Sequence, residues 1–135
     1  MGSGKKTYIY TDGSDSSWAF IAVRDDKEVA TAMGDMEGVP ATTDNDRTEG
    51  RAIFKAVEWA MSNPGNYVLI TDSKSAINKL NGNWKDHTGN ADWMGAIRMI
   101  ASVNESPGPV SFRIVWRERL SDEWMRRVDK MASGR

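Results

Sequence analysis

The stretch Tyr67-Val68-Leu69-Ile70-Thr71 constrains the fold more than any other part of this chain. It is apolar without alternation, so a strand formed there needs cover on both faces. Helical patterns bracket it. Ile53, Ala56, Val57 and Ala60 repeat at helical spacing in a run from about Arg47 to Met61, and Asn63-Pro64-Gly65-Asn66 stops that run. Ser73 to Leu80 reads as a second helix. A short apolar strand between two helices belongs inside a parallel sheet.

The first third of the chain reads differently. Tyr8 to Asp12, Trp18 to Arg24 and the weaker Glu28 to Met36 have strand composition, with Asp25-Asp26-Lys27 as a tight turn. Together they predict an antiparallel meander. Gly38 to Asp44, with Pro40, is a loop. Asn81 to Gly89 is a polar loop or short helix. Trp93, Ile97, Ile100 and Ala101 mark another helix, and Pro107-Gly108-Pro109 a turn. Val110 to Trp116 is a fifth strand. Ser121 to Ala132 is a final helix, with Ser121 as N-cap and Asp122 and Glu123 in its first turn. The length of 135 residues suits one α/β domain, expected over 6–132, with a flexible lead-in at 1–5 and a short tail at 133–135. Trp18, Trp59, Trp93 and Trp124 lie on apolar stripes and are expected in the core. Trp116 is expected to pack from its strand, and the eight methionines to fill core gaps.

Four acidic residues carry the chemistry. Asp12 and Asp72 each end a strand, where ligands gather in open α/β sheets. Glu49 lies four residues before Ile53 and seven before Ala56, on the buried side of a first helical turn, which is unusual for a glutamate. Asp129 lies beside the stripe Trp124, Val128, Met131. Each has an ordinary alternative. Asp12-Gly13 and Asp72-Ser73 are turn or cap dipeptides. Asp46-x-x-Glu49 resembles a capping box. Asp129 has Lys130 and Arg126 as neighbours for a surface ion pair. Jointly, in this element order, they point to one pocket. Carboxylates sharing a pocket cannot all stay ionised without cations, and a two-metal phosphodiester-cleaving site is built that way. Hard oxygen donors suit Mg²⁺ or Mn²⁺, which retain waters and accept phosphate oxygens.

Charge permits this reading without demanding it. The formal net charge is −1. Setting the four acids aside from the 19 acidic residues leaves 15 against 18 basic ones, a mildly basic remainder of +3. With no cysteine in the chain, disulfides, thiolate catalysis and cysteine–zinc sites are excluded. No apolar run approaches ~20 residues, and no signal-peptide pattern follows Met1, so a cytoplasmic protein that spans no membrane is expected.

The sequence resembles the type 1 ribonuclease H family. Thr11-Asp12-Gly13-Ser14, Asn45-Asp46-Arg47-Thr48-Glu49, Thr71-Asp72-Ser73 and Arg127-Val128-Asp129-Lys130-Met131-Ala132 carry the resemblance, which covers roughly Lys6 to Ala132. It implies a five-stranded mixed sheet, three antiparallel strands followed by parallel ones, flanked by helices. It also implies endonucleolytic cleavage of the RNA strand of RNA–DNA hybrids with two Mg²⁺ ions, Mn²⁺ substituting, by a monomeric domain. Asp12, Glu49, Asp72 and Asp129 would be the metal ligands, with Asp12 bridging and Glu49 also touching the ribose 2′-hydroxyl. The products implied are a 5′-phosphate and a 3′-hydroxyl.

Substrate contacts follow by the same resemblance. Asn45 would meet base edges and sugar. Arg47 would reach phosphate. Ser14 and Ser73 would donate to the substrate, or else cap local backbone. Trp84-Lys85 would contact the DNA strand, unless Trp84 covers core. The chain departs from the family in three places. Asp15-Ser16-Ser17 replaces a glycine-rich turn. The basic protrusion is largely absent, since only Asn81 to Asn90 separates two helices. The loop before the last acid lacks the usual histidine, and Arg119 is the nearest positional substitute, while the lone His87 falls elsewhere and is expected to be exposed. Two other functions fit the same fold: a non-catalytic hybrid- or duplex-binding module, and a related nuclease directed at DNA.

Overall fold

A five-stranded mixed sheet organises the chain, in a computed structural model that describes residues 6–14, 17–35, 46–81, 91–105 and 108–133. β1 (Lys6–Gly13), β2 (Ser17–Arg24) and β3 (Lys27–Asp35) form the antiparallel meander. β4 (Gly65–Thr71) and β5 (Val110–Trp116) extend it in parallel on the other side of β1, giving the order β3-β2-β1-β4-β5. Four helices occur among the described residues: α1 (Asp46–Met61), α2 (Lys74–Leu80), α3 (Ala91–Glu105) and α4 (Glu123–Ala132). The architecture is the one expected from the resemblance.

Strand alternation splits the core into two layers. Ile9, Phe20, Tyr67 and Leu69 face α1 and α3, meeting Ala52, Ile53, Val57, Trp93 and Ile100. Tyr10, Ile21, Val68 and Ile70 face α4, meeting Met125 and Val128. This two-sided cover is why Tyr67 to Thr71 is apolar without a break. α1 and α3 cross closely at Gly50, where an added Cβ would stand 2.6 Å from the Trp93 indole nitrogen. Asp25 and Asp26 adopt φ of 54° and 61°, the left-handed pair of a two-residue hairpin turn, a conformation that aspartate tolerates better than most residues.

Some expectations need correction. The α4 N-cap is Asp122, not Ser121: its carboxylate accepts from the Met125 N–H at 2.9 Å. Asp122 also pairs with Arg117 at 2.8 Å, so one carboxylate both caps and tethers the helix. Trp18 and Trp93 are buried and Trp59 and Trp124 pack against the layers, but Trp116 is exposed. It shares its side of β5 with Phe112 and Ile114, yet occupies the last position of the strand. Met33, Met61 and Met94 are exposed as well, so methionine is not confined to core gaps. No described helix is long and apolar enough to cross a membrane.

Candidate active site

The two strand-ending aspartates meet because β1 and β4 are adjacent and parallel. Their register pairs Tyr10 with Ile70, and the same offset sets Asp12 beside Asp72. Alternation points both toward the α4 face. Where the strands part, the Thr11 hydroxyl donates to the Ile70 carbonyl at 3.1 Å and holds them together.

Glu49 arrives from the opposite layer, on the first turn of α1. Gly13 makes this approach possible: a Cβ there would stand 2.4 Å from the Glu49 backbone nitrogen. Thr48 donates its hydroxyl to the Ser14 carbonyl, fixing the helix start against the end of β1. The Thr71 hydroxyl lies 3.3 Å from a Glu49 carboxylate oxygen. Asp12, Glu49 and Asp72 thus present carboxylate oxygens all within 4.8 Å of one another.

Asp129 approaches this group from α4. The Ser14 hydroxyl donates to the Ala132 carbonyl at 2.6 Å, joining the last turn of α4 to the end of β1. One Asp129 oxygen accepts from Arg119 Nε at 3.1 Å and Nη2 at 3.0 Å, and Asp129 lies near enough to Asp12 to help raise its carboxyl. Three of the four predicted acids therefore meet, and Asp129 stands near enough to act on Asp12 and Asp72 through its charge.

Burial and mutual repulsion dominate their electrostatics. Burial, then the charges of Asp72 and Asp129, push the Asp12 carboxyl up from 3.8 to about 8. Burial and the charges of Asp12 and Asp72 hold Glu49 well above its ordinary value, against the hydrogen bonds from Thr71 and Gly13. Burial raises Asp72 too, while Arg119 pulls it down. A compact set of hard, mutually repelling oxygens fits divalent cations, which would remove both the repulsion and the cost of burial.

The predicted substrate contacts are scattered in their surroundings. Arg47 is exposed on the first turn of α1. Ser73 caps α2, its hydroxyl oxygen accepting from the Ala76 N–H at 3.0 Å. The Ser14 proton goes to Ala132. Asn45, Trp84, Lys85 and His87 lie outside the described residues. Sequence reading missed Thr48, Thr71 and the close approach at Gly13; threonines flanking two of the acids were the available signal. A groove of about 440 Å³, lined by Lys6, Tyr8, Tyr10, Arg117 and Trp124 among others, has none of the four acids in its lining.

The sequence model of the RNase H family matches residues 4–112. Similar folds occur in RNase H1 from the halophilic archaeon Halobacterium salinarum NRC-1 (19% identity, TM-score 0.73, 95% of each chain covered). The N-terminal RNase H domain of a Mycobacterium tuberculosis protein is also similar (17%, TM-score 0.70, 97% of this chain and 96% of that one). So is the compost-derived LC11-RNase H1, solved with an RNA/DNA hybrid (16%, TM-score 0.66, 95% and 94%). No curated protein matches the chain.

Proposed function

The chain belongs to the RNase H family, and on that premise we propose that it is a divalent-metal-dependent endonuclease cleaving the RNA strand of RNA–DNA hybrids. The observation that carries the reading is the meeting of Asp12, Glu49 and Asp72 within 4.8 Å at the carboxyl ends of two parallel strands. Asp12, Glu49, Asp72 and Asp129 would hold two Mg²⁺ ions, with Mn²⁺ as substitute. Bound there, such ions supply a more acidic attacking water and a counter-charge for the leaving 3′ oxygen.

The chain's own residues do the rest. Asp12, central among the acids, is the one suited to serve both cations. Glu49, steadied by Thr71, would turn an oxygen toward the ribose 2′-hydroxyl, the group that separates RNA from DNA. Arg119 orients Asp129 and offsets the negative charge around Asp72. Ser14, Asn45, Arg47, Ser73, Trp84 and Lys85 would meet the hybrid along its backbone and minor groove. Cleavage leaves a 5′-phosphate and a 3′-hydroxyl. A binding module would gain nothing from burying a cluster of carboxylates where phosphate must lie, so the catalytic reading is favoured.

The test is cleavage of a labelled hybrid with Mg²⁺, with Mn²⁺ and with chelator, beside matched double-stranded DNA and single-stranded RNA. Metal-dependent cuts confined to the RNA strand of the hybrid are expected. Hybrid binding without cutting under any metal would transfer the lead to the binding module. Cuts in DNA lacking any 2′-hydroxyl would transfer it to a DNA-directed nuclease.

A further inference from the structure

Trp116 is the last residue of β5 and the register partner of Thr71, one residue before Asp72. It is 41% exposed, although an indole is among the most favourable side chains to bury. It is also fixed. Its ring N–H donates to the Asp72 carbonyl at 3.0 Å, and the ammonium of Lys74 stands 4.9 Å from a ring centroid. Lys74 is itself exposed, on the first turn of α2. An apolar plate bolted to the backbone of a site acid, with a cation over it, is poor economy for a surface that meets only water.

We propose that Trp116 and Lys74 form a nucleotide-binding plate against the backbone of Asp72, resting on the nuclease reading above. The indole takes the sugar or base face of one nucleotide in the bound strand, and Lys74 takes its phosphate. The chemistry is the pairing common to nucleic-acid grooves: stacking that tolerates any base, joined to backbone charge. Because the ring is already held by Asp72, contact orders little more of the protein, which favours binding. The plate touches the backbone carbonyl of Asp72 and leaves its carboxylate free, so its contribution falls on substrate affinity.

Steady-state cleavage of a hybrid and its binding in chelator test the plate with Trp116→Val, Trp116→Phe and Lys74→Gln. Trp116→Val is expected to raise KM and Kd about 10-fold, with kcat within about 2-fold. Trp116→Phe keeps a ring but no N–H, and should restore most of the affinity. Lys74→Gln should weaken binding alike across sequences and lower the salt slope by about one phosphate contact. If valine and phenylalanine both lower kcat with KM unchanged, Trp116 serves only to place Asp72, and the plate is overturned. Unchanged KM and Kd in Trp116→Val overturns it too. Those results leave the nuclease reading intact, whereas wild-type protein that neither binds nor cuts hybrid sinks both.

Discussion

Asp12 and Asp129 serve one site from opposite mechanical settings. Asp12 is 7% exposed and Glu49 5%, and both are fixed by the packing that closes the sheet against α1. Nothing larger than a hydrogen fits at Gly13 between them. The Asp129 side chain is 23% exposed, and polar contacts hold it: Arg119 on its carboxylate, and the Ser14 hydroxyl on its helix's last turn. The other end of α4 is secured by the Tyr10–Trp124 stack and the Arg117–Asp122 pair, and its middle by the Arg127–Glu28 pair. Half of the site is therefore built into the core. The other half sits on a helix anchored by the buried Val128 and Ala132, and a few bonds that water can replace orient its carboxylate.

The largest effects should come from the three acids that meet at the strand ends. Asp72→Asn removes a charge at constant volume, and kcat is expected to fall about 1,000-fold. The same variant should melt higher than wild type in chelator, because it removes a repelled carboxylate. Full activity at ordinary Mg²⁺ would take Asp72 out of the site. The repulsion also predicts how stability follows pH. Asp12 is raised from 3.8 to about 8, so the folded state holds a proton that the unfolded chain has released. That stabilisation is complete below pH 3.8 and is lost as pH rises through about 8. In chelator, Tm should fall between pH 5 and 8.5, and Mg²⁺ or Mn²⁺ should raise it more at the alkaline end. A flat Tm would mean the acids do not sense one another.

This contrast also explains what could be read from the sequence. Asp12, Glu49 and Asp72 were legible because burial leaves a mark: an acid at the end of an apolar strand, or on the apolar side of a helix, violates the local pattern. Asp129 was visible mainly through resemblance, since an acid flanked by Arg126, Arg127 and Lys130 fits an ordinary exposed helix face equally well. The bonds that place it were not legible. Nothing in the spacing of Ser14 and Ala132 indicates that they meet across 118 residues. Trp116 was misread for a related reason. Its strand parity matches Phe112 and Ile114, but parity does not tell how much cover the last residue of a strand receives.

The looser half predicts a smaller response. Ser14→Ala frees the last turn of α4 from β1 while leaving the Val128 packing in place. Activity at limiting Mg²⁺ should drop about 10-fold, as for groups that orient a metal ligand, and recover in part at saturating metal. A silent Ser14→Ala would break the comparison, because apolar packing alone would then hold Asp129 as firmly as the core holds Asp12.

Arg119 tests the comparison at its most exposed point. Its side chain is 65% exposed, and ion pairs in such settings contribute ~0–1 kcal/mol, so Arg119→Ala should slow turnover no more than about 5-fold. The direction of its pH effect says more than the size. Arg119 pulls the Asp72 carboxyl down, so its loss lets Asp72 ionise only at higher pH. The rising limb of the rate against pH should move to the alkaline side, most clearly at low Mg²⁺, where metal no longer substitutes for the missing charge. An unchanged rate with an unchanged limb would make Arg119 a solvated loop residue and leave Asp129 to Ser14 alone. A shift of the limb with little change in the maximal rate would show the surface half of the site tuning charge that the buried half cannot adjust.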